Sequence, residues 1–384
     1  MDNNKEVLLS LVSAGLWEKD VQPLRHAEVD YANVLMMAEA QGVVGLVTAG
    51  INTVHGSGFM VHGSPLVPKP IALRFIGRAM QIEHQNREMN RFIGVLMEKM
   101  RKAGIKALLV KGQGVAQCYE RPLWRPSGDV DLLLDKENYE RTKALLLPLS
   151  SSHKPEELYS LHLGIDIDSW YVEIHGSLRT GLSTRVDRVV DNVVHDALSM
   201  ENGNFRKGTR VWNNGNTRVY LPAPTEDVFL VFTHFIKHLY KEGISLRQVC
   251  DWCRLLWTYR EEIDTTRLES WVHRAGLMQE WQAFATLAVT HLGMPVEAMP
   301  MFGSKVQGSG FRVQGSGLMV QGSGFRVLGE RLVEFILGGY SGKKVKDTWR
   351  IAKIFPKNTV KFLPSIFLNV NGMKMKERIK GLRD

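Results

Sequence analysis

From residue 71 to about 103, Leu73, Ile76, Met80, Ile82, Met89, Phe92 and Leu96 recur at helical spacing. The pattern predicts one long amphipathic helix, with Gly104 as its stop. Shorter helical runs precede it, LLSLV near the start and residues 26–50, so the first hundred residues read as helical. Beyond Gly104 the period changes. Residues 106–110 (KALLV) form a short apolar run followed by Gly112 and Gly114, which reads as a buried strand leading into a turn. Residues 115–120 suit a brief helix, 129–134 (DVDLLL) a second strand, and 136–147 another helix. Strand-like runs return at 164–168, 170–175, 205–212 and 217–221. After Pro222 and Pro224, Thr225 with Glu226 and Asp227 predicts a capped helix start, and helices continue to about Leu292.

These patterns imply a small α/β or α+β core at 105–222. A helical region at 1–104 precedes it and another at 223–303 follows. Two blocks interrupt the pattern. VQGSGFR, VQGSGLM and VQGSGFR follow one another from Val306 to Arg326, and VHGSGFM and VHGSPLV occupy 54–67. Gly-Ser-Gly disfavours helix, and no Lys-Ser/Thr follows as a P-loop requires. Both blocks are read as inserted repeats in surface loops, with the second insertion at 304–329 and a basic tail at 330–384.

Charge sharpens the picture of the tail. The chain carries a net +9, and from Lys343 onward twelve Lys/Arg stand against three acids. The tail thus holds the whole excess, and the balanced remainder argues against templated nucleic-acid polymerisation. A solvated, partly helical end is the preferred reading, over one that binds RNA, an anionic membrane surface or an acidic partner. Cys118, Cys250 and Cys253 make no disulfide framework, and Cys250-x-x-Cys253 lacks the second pair a zinc ribbon needs. No run of about 20 apolar residues is present, and no signal peptide opens the chain, so no transmembrane segment and a cytoplasmic location are expected.

The chemistry concentrates in LLVKGQGVAQCYERPLWRPSGDVDLLL, residues 108–134. On a strand, Asp129 and Asp131 point to one face, roughly 6–7 Å apart along the backbone. Two carboxylates so placed call for a cation, and two Mg²⁺ ions meet that need in in-line phosphoryl chemistry. The Gly112–Gly114 turn offers backbone N–H groups for phosphate oxygens, and Lys111 and Arg125 offer positive charge. Farther on, His234 and His238 are four apart on one helix face, as are Arg247 and Asp251 on the next helix. The two histidines read as structural or substrate-facing rather than zinc-binding.

This stretch resembles the nucleotidyltransferase superfamily typified by DNA polymerase β, where a strand and glycine turn precede a helix and the next strand carries Asp-x-Asp. More narrowly it is similar to a bacterial family of uncharacterised nucleotidyltransferases, with Lys111, Gly112, Tyr119, Arg125, Asp129 and Asp131 at the family's positions. The resemblance implies an α+β protein, with a small mixed-sheet nucleotidyltransferase core between helical flanks, and a third carboxylate on a later strand. WYVEIHGSL points to Glu173, with His175 on the same strand face, while Asp166 and Asp168 in GIDIDSW are the competing source. The superfamily often has Gly-Ser at the turn, where this chain has Gly112-Gln113.

The expected function is therefore Mg²⁺-dependent transfer of a nucleoside monophosphate from a nucleoside triphosphate to an acceptor hydroxyl, on a small molecule or a protein, releasing pyrophosphate. Asp129, Asp131 and Glu173 would be catalytic and bind two metal ions. Lys111, Gly112, Gln113, Gly114 and Arg125 would bind the nucleotide. The alternatives are a degenerate, antitoxin-like nucleotide-binding interaction protein and an RNA- or membrane-surface-binding protein acting through the tail.

Overall fold

The computed structural model describes residues 2–18, 29–54, 60–61, 64–65, 67–302, 323–339 and 341–368. The chain opens with helices α1 (Asn3–Trp17), α2 (Tyr31–Ala40) and α3 (Val44–Val54), the first two capped by the side chains of Asp2 and Asp30. The long helical pattern becomes α4 (Lys69–Lys102), but Leu73 and Met80 of the expected stripe are exposed and Ala72, Phe75 and Ala79 take the buried side there. At 1.5 Å per residue the helix spans about 50 Å, long enough to join two cores. Phe75 near its start packs with the other helices, whereas Met89, Ile93, Leu96 and Met100 cover a sheet.

That sheet has five strands: β1 (Leu108–Val110), β2 (Asp129–Leu133), β3 (Ser152–His153), β4 (His162–Ile167) and β5 (Trp170–His175). Their order is β1-β2-β5-β4-β3, with β2 and β5 parallel and the remaining pairs antiparallel. Strand alternation divides it by chemistry. Val130, Leu132, Leu163, Ile165, Val172 and Ile174 form the apolar face under α4 and α6 (Lys136–Leu146). Asp129, Asp131, His162, Asp166, Tyr171, Glu173 and His175 alternate with them and take the other face.

Between β1 and the short α5 (Gly112–Ala116), the backbone turns sharply at Lys111, with φ 55° and ψ −146°, and at Gly112, with φ 37°. Gly114 is needed for packing, since a Cβ there would sit 3.0 Å from Leu221. After α7 (Thr184–Ala197), the run expected as one strand at 205–212 is broken. Asn204–Phe205 pairs with Met200–Glu201, and β6 (Arg210–Asn214) pairs with β7 (Thr217–Leu221). Gly208, at φ 95°, separates the two pieces.

The C-terminal helices are α8 (Pro224–Lys241), α9 (Leu246–Thr258), α10 (Thr265–Ala275), α11 (Met278–His291), α12 (Ser323–Leu337), α13 (Lys344–Ala352) and α14 (Pro356–Leu368). The helix starts one residue before the expected cap. Pro224 occupies its first turn, where a proline is preorganised. Thr225 instead accepts a 2.9 Å bond from the Asp264 amide. Cys118, Cys250 and Cys253 are buried free thiols. Among the described residues no helix is long and apolar enough to cross a membrane.

Two expectations change at the repeats and the tail. Of the first block, Met60–Val61 and Ser64–Pro65 form an antiparallel pair. Most of the second block lies outside the described residues, but Ser323 to Arg326 open α12, which runs through the expected boundary at 329. The described tail is packed rather than solvated. Ile351, Phe355 and Phe362 are fully buried, the Phe362 ring stands edge-on to Tyr240, and Asn358 bonds Glu280 at 2.7 Å. A count of lysines misses this because α13 and α14 turn their lysines to solvent while apolar residues, with the ion-paired Asp347, face inward.

Phe362→Ala is expected to lower stability in urea unfolding by about 3–5 kcal/mol, the range for buried aromatics, whereas Trp349→Ala changes it by less than about 0.5 kcal/mol. Lys111→Gly should be more stable than Lys111→Ala by about 1–2 kcal/mol, because both remove the ammonium and only glycine relaxes the backbone.

Candidate active site

The parallel pairing of β2 with β5 sets Asp129 opposite Tyr171, Asp131 opposite Glu173 and Leu133 opposite His175. Carboxylate oxygens of Asp129, Asp131 and Glu173 therefore lie within 4.8 Å of one another. Asp166 sits one step farther out, opposite Tyr171, where the Ser152 hydroxyl bonds it. Asp168 occupies the β4–β5 turn at φ 53°. Neither belongs to this acidic group.

Asp131 is the buried member, only 2% exposed, and two neighbours compensate its charge. The Lys111 ammonium and His175 Nε2 each lie 2.8 Å from its Oδ1. Burial would raise the Asp131 carboxyl, but the Lys111 charge and the His175 hydrogen bond hold it below its ordinary range. Burial likewise works against the Lys111 ammonium, and the Asp131 carboxylate outweighs it. Asp129 behaves differently. Burial raises its pKa and the Asp131 charge raises it further, the response of a carboxylate lacking a cation of its own. Glu173 is held low despite burial by contacts from His162 and His175. Three oxygen donors with this surplus of negative charge suit a hard divalent ion.

The phosphate-side candidates separate into two groups. Lys111 reaches the acids from a backbone conformation that glycine tolerates better, so its side chain has a reason to be there beyond the turn. Gln113, 1% exposed, turns its amide away to Asn86 Oδ1 at 2.7 Å, and that asparagine also holds the Leu123 and Arg125 carbonyls at 2.8 Å. Gly112 and Gly114 keep the turn compact. Arg125 is committed to Asp251 of α9 through two bonds of 2.9 and 2.7 Å, with the Tyr119 hydroxyl on the same carboxylate at 2.8 Å. Sequence spacing leaves Asp251 to pair with Arg247 or with the histidines of α8; the structure gives that place to Arg125. Arg247 donates to the Pro126 carbonyl at 2.7 Å, so α9 clamps the loop that delivers Asp129.

Helix α8 brings His234 within reach of the charges of Lys111 and His175. His234 is kept neutral by burial, to which the positive charge of Lys111 adds. Its Nε2 lies 3.1 Å from that of His238, which meets Glu242 at 2.9 Å, so the pair is engaged locally. Sequence reasoning did not single out His162, Ser127 or the second contact of His175. His162 is opposite His175 only through strand register. The Ser127 hydroxyl, buried without a hydrogen-bond partner, sits 3.2 Å from where a Gly112 side chain would begin. No motif marks either residue.

A family model described as uncharacterised nucleotidyltransferase matches residues 27–293, more than half of the chain, and takes in every acid of the site. No curated protein and no solved structure matches. The family match and the α+β core with three clustered carboxylates agree, and the chain belongs to the uncharacterised nucleotidyltransferase family.

Proposed function

We propose that the protein transfers a nucleoside monophosphate from a nucleoside triphosphate to a hydroxyl of a small-molecule or protein acceptor. The acceptor oxygen bonds to the α-phosphorus, the bond to the β-phosphate oxygen breaks, and pyrophosphate leaves. The observation that carries this reading is the approach of Asp129, Asp131 and Glu173 within 4.8 Å beside Lys111, in a chain of this family.

In this reading Asp129, Asp131 and Glu173 hold two Mg²⁺ ions, which when bound neutralise phosphate charge and favour the attacking oxygen. Glu173 completes the metal site or activates the acceptor hydroxyl. Lys111 steadies the phosphates, joined by backbone N–H groups of Gly112, Gln113 and Gly114. Arg125 contributes charge from the position that Asp251 gives it. Catalysis comes mainly from positioning and preorganised charge.

A second reading, a nucleotide-binding interaction protein with a degenerate site, is favoured by one observation. Lys111 and His175 already satisfy Asp131.

Incubation with α-phosphate-labelled triphosphates, Mg²⁺ and a panel of acceptors separates the two readings. Transfer of label to an acceptor or to the protein itself is expected. It should fall by about 10³-fold or more in Asp129→Ala and Asp131→Ala, and vanish with a chelator. Lys111→Met should cost about 10²-fold, chiefly through weaker triphosphate binding. Triphosphate binding without transfer to any acceptor overturns the enzyme reading.

A further inference from the structure

Beside the oxygen-only group lies a second donor set of different chemistry. Strand register puts His162 of β4 directly opposite His175 of β5, and their rings stack with centroids 4.9 Å apart and planes 21° from parallel. Glu173, two residues before His175, shares that face. Its Oε2 lies 3.4 Å from His162 Nε2 and 3.5 Å from His175 Nε2. One ligand atom from each residue lies within 4.8 Å of the others.

Those separations are informative. A charge-assisted hydrogen bond between imidazole and carboxylate closes to about 2.7–2.9 Å. Both contacts are longer, and His162 Nε2 is buried with no hydrogen-bond partner. Leaving a buried ring nitrogen unsatisfied is costly. A tetrahedral ion with bonds of about 2.0–2.1 Å instead sets its donors about 3.3–3.5 Å apart. Two imidazoles and one carboxylate around an open fourth position suit a borderline divalent transition ion. Magnesium, which takes oxygen ligands, has little use for them.

We propose that His162, Glu173 and His175 form a site for a zinc-class divalent ion, a donor set separate from the Asp129–Asp131 pair on the same sheet face but sharing Glu173 with it. Occupancy replaces the His175–Asp131 hydrogen bond with a metal bond, so the ion loosens one of the two restraints on Asp131. The site does not depend on the transfer reaction.

Full-length protein stripped with a chelator and titrated with Co²⁺, without nucleotide, tests it. The visible absorption of tetrahedral Co²⁺ is expected to rise to one equivalent and to be displaced by one equivalent of Zn²⁺. His162→Ala and the bulkier His162→Gln, each checked for folding by circular dichroism, should weaken Zn²⁺ by at least about 100-fold, the upper end of what outer-sphere partners alone cost. Asp129→Ala should leave Zn²⁺ affinity within about 3-fold, since its oxygens are outside this set. Zn²⁺ binding unchanged in both His162 variants overturns the proposal, as does binding lost in Asp129→Ala and kept without His162. Zn²⁺ held through His162 with no nucleotide transfer overturns the enzyme reading alone. Mg²⁺-dependent transfer with Zn²⁺ binding indifferent to His162 overturns the metal site alone.

Discussion

A buried carboxylate has to be neutralised, and the compensation of Asp131 organises this molecule. With 2% of its surface exposed, Asp131 demands an ammonium and an imidazole on one oxygen. Meeting that demand requires Lys111 to leave β1 through a backbone bend that disfavours any side chain. It also requires β5 to lie beside β2 in parallel, so that Glu173 and His175 arrive on the same face. The bend at Lys111 and the place of His175 can both be traced to this one charge.

The rest of the chain keeps that arrangement in register. Helix α4 covers the apolar face of the sheet with its second half, so every inward residue of β2, β4 and β5 is packed and none can slip by one position without burying an acid. On the other side α9 holds the loop before Asp129 through the Arg125–Asp251 pair and the Arg247–Pro126 bond. A buried bidentate pair of this kind contributes position more than net stability. Family membership is established over residues 27–293, which include all three acids of the site.

Much of this was legible beforehand, and the residues show why. The apolar pattern with period 3.6 predicts a helix from residue 71 to about 103, and the helix Lys69–Lys102 matches those ends within two residues. Asp129 and Asp131 have period 2 in an apolar strand, so their common face follows from the pleat. Glu173 was reachable through resemblance to the nucleotidyltransferase pattern, not through its spacing. The tail misled because composition counts charges without direction. Its lysines face water while Phe355 and Phe362 fill the core. Thr225 looked like a cap because a good cap residue stood before two acids, yet Pro224 starts the helix a residue earlier.

What the sequence alone determined was local: the helix periods, the two-faced strands, the glycine turn and the acidic pair. These are properties of neighbours along the chain, governed by backbone geometry that repeats every two or 3.6 residues. Tertiary structure decided which distant charges meet. Asp251 takes Arg125 rather than Arg247, Gln113 turns to Asn86, and His162 faces His175 across a strand boundary. Such pairings depend on strand order and helix docking, where burial penalises every charge left without a partner. No spacing within a single element encodes them.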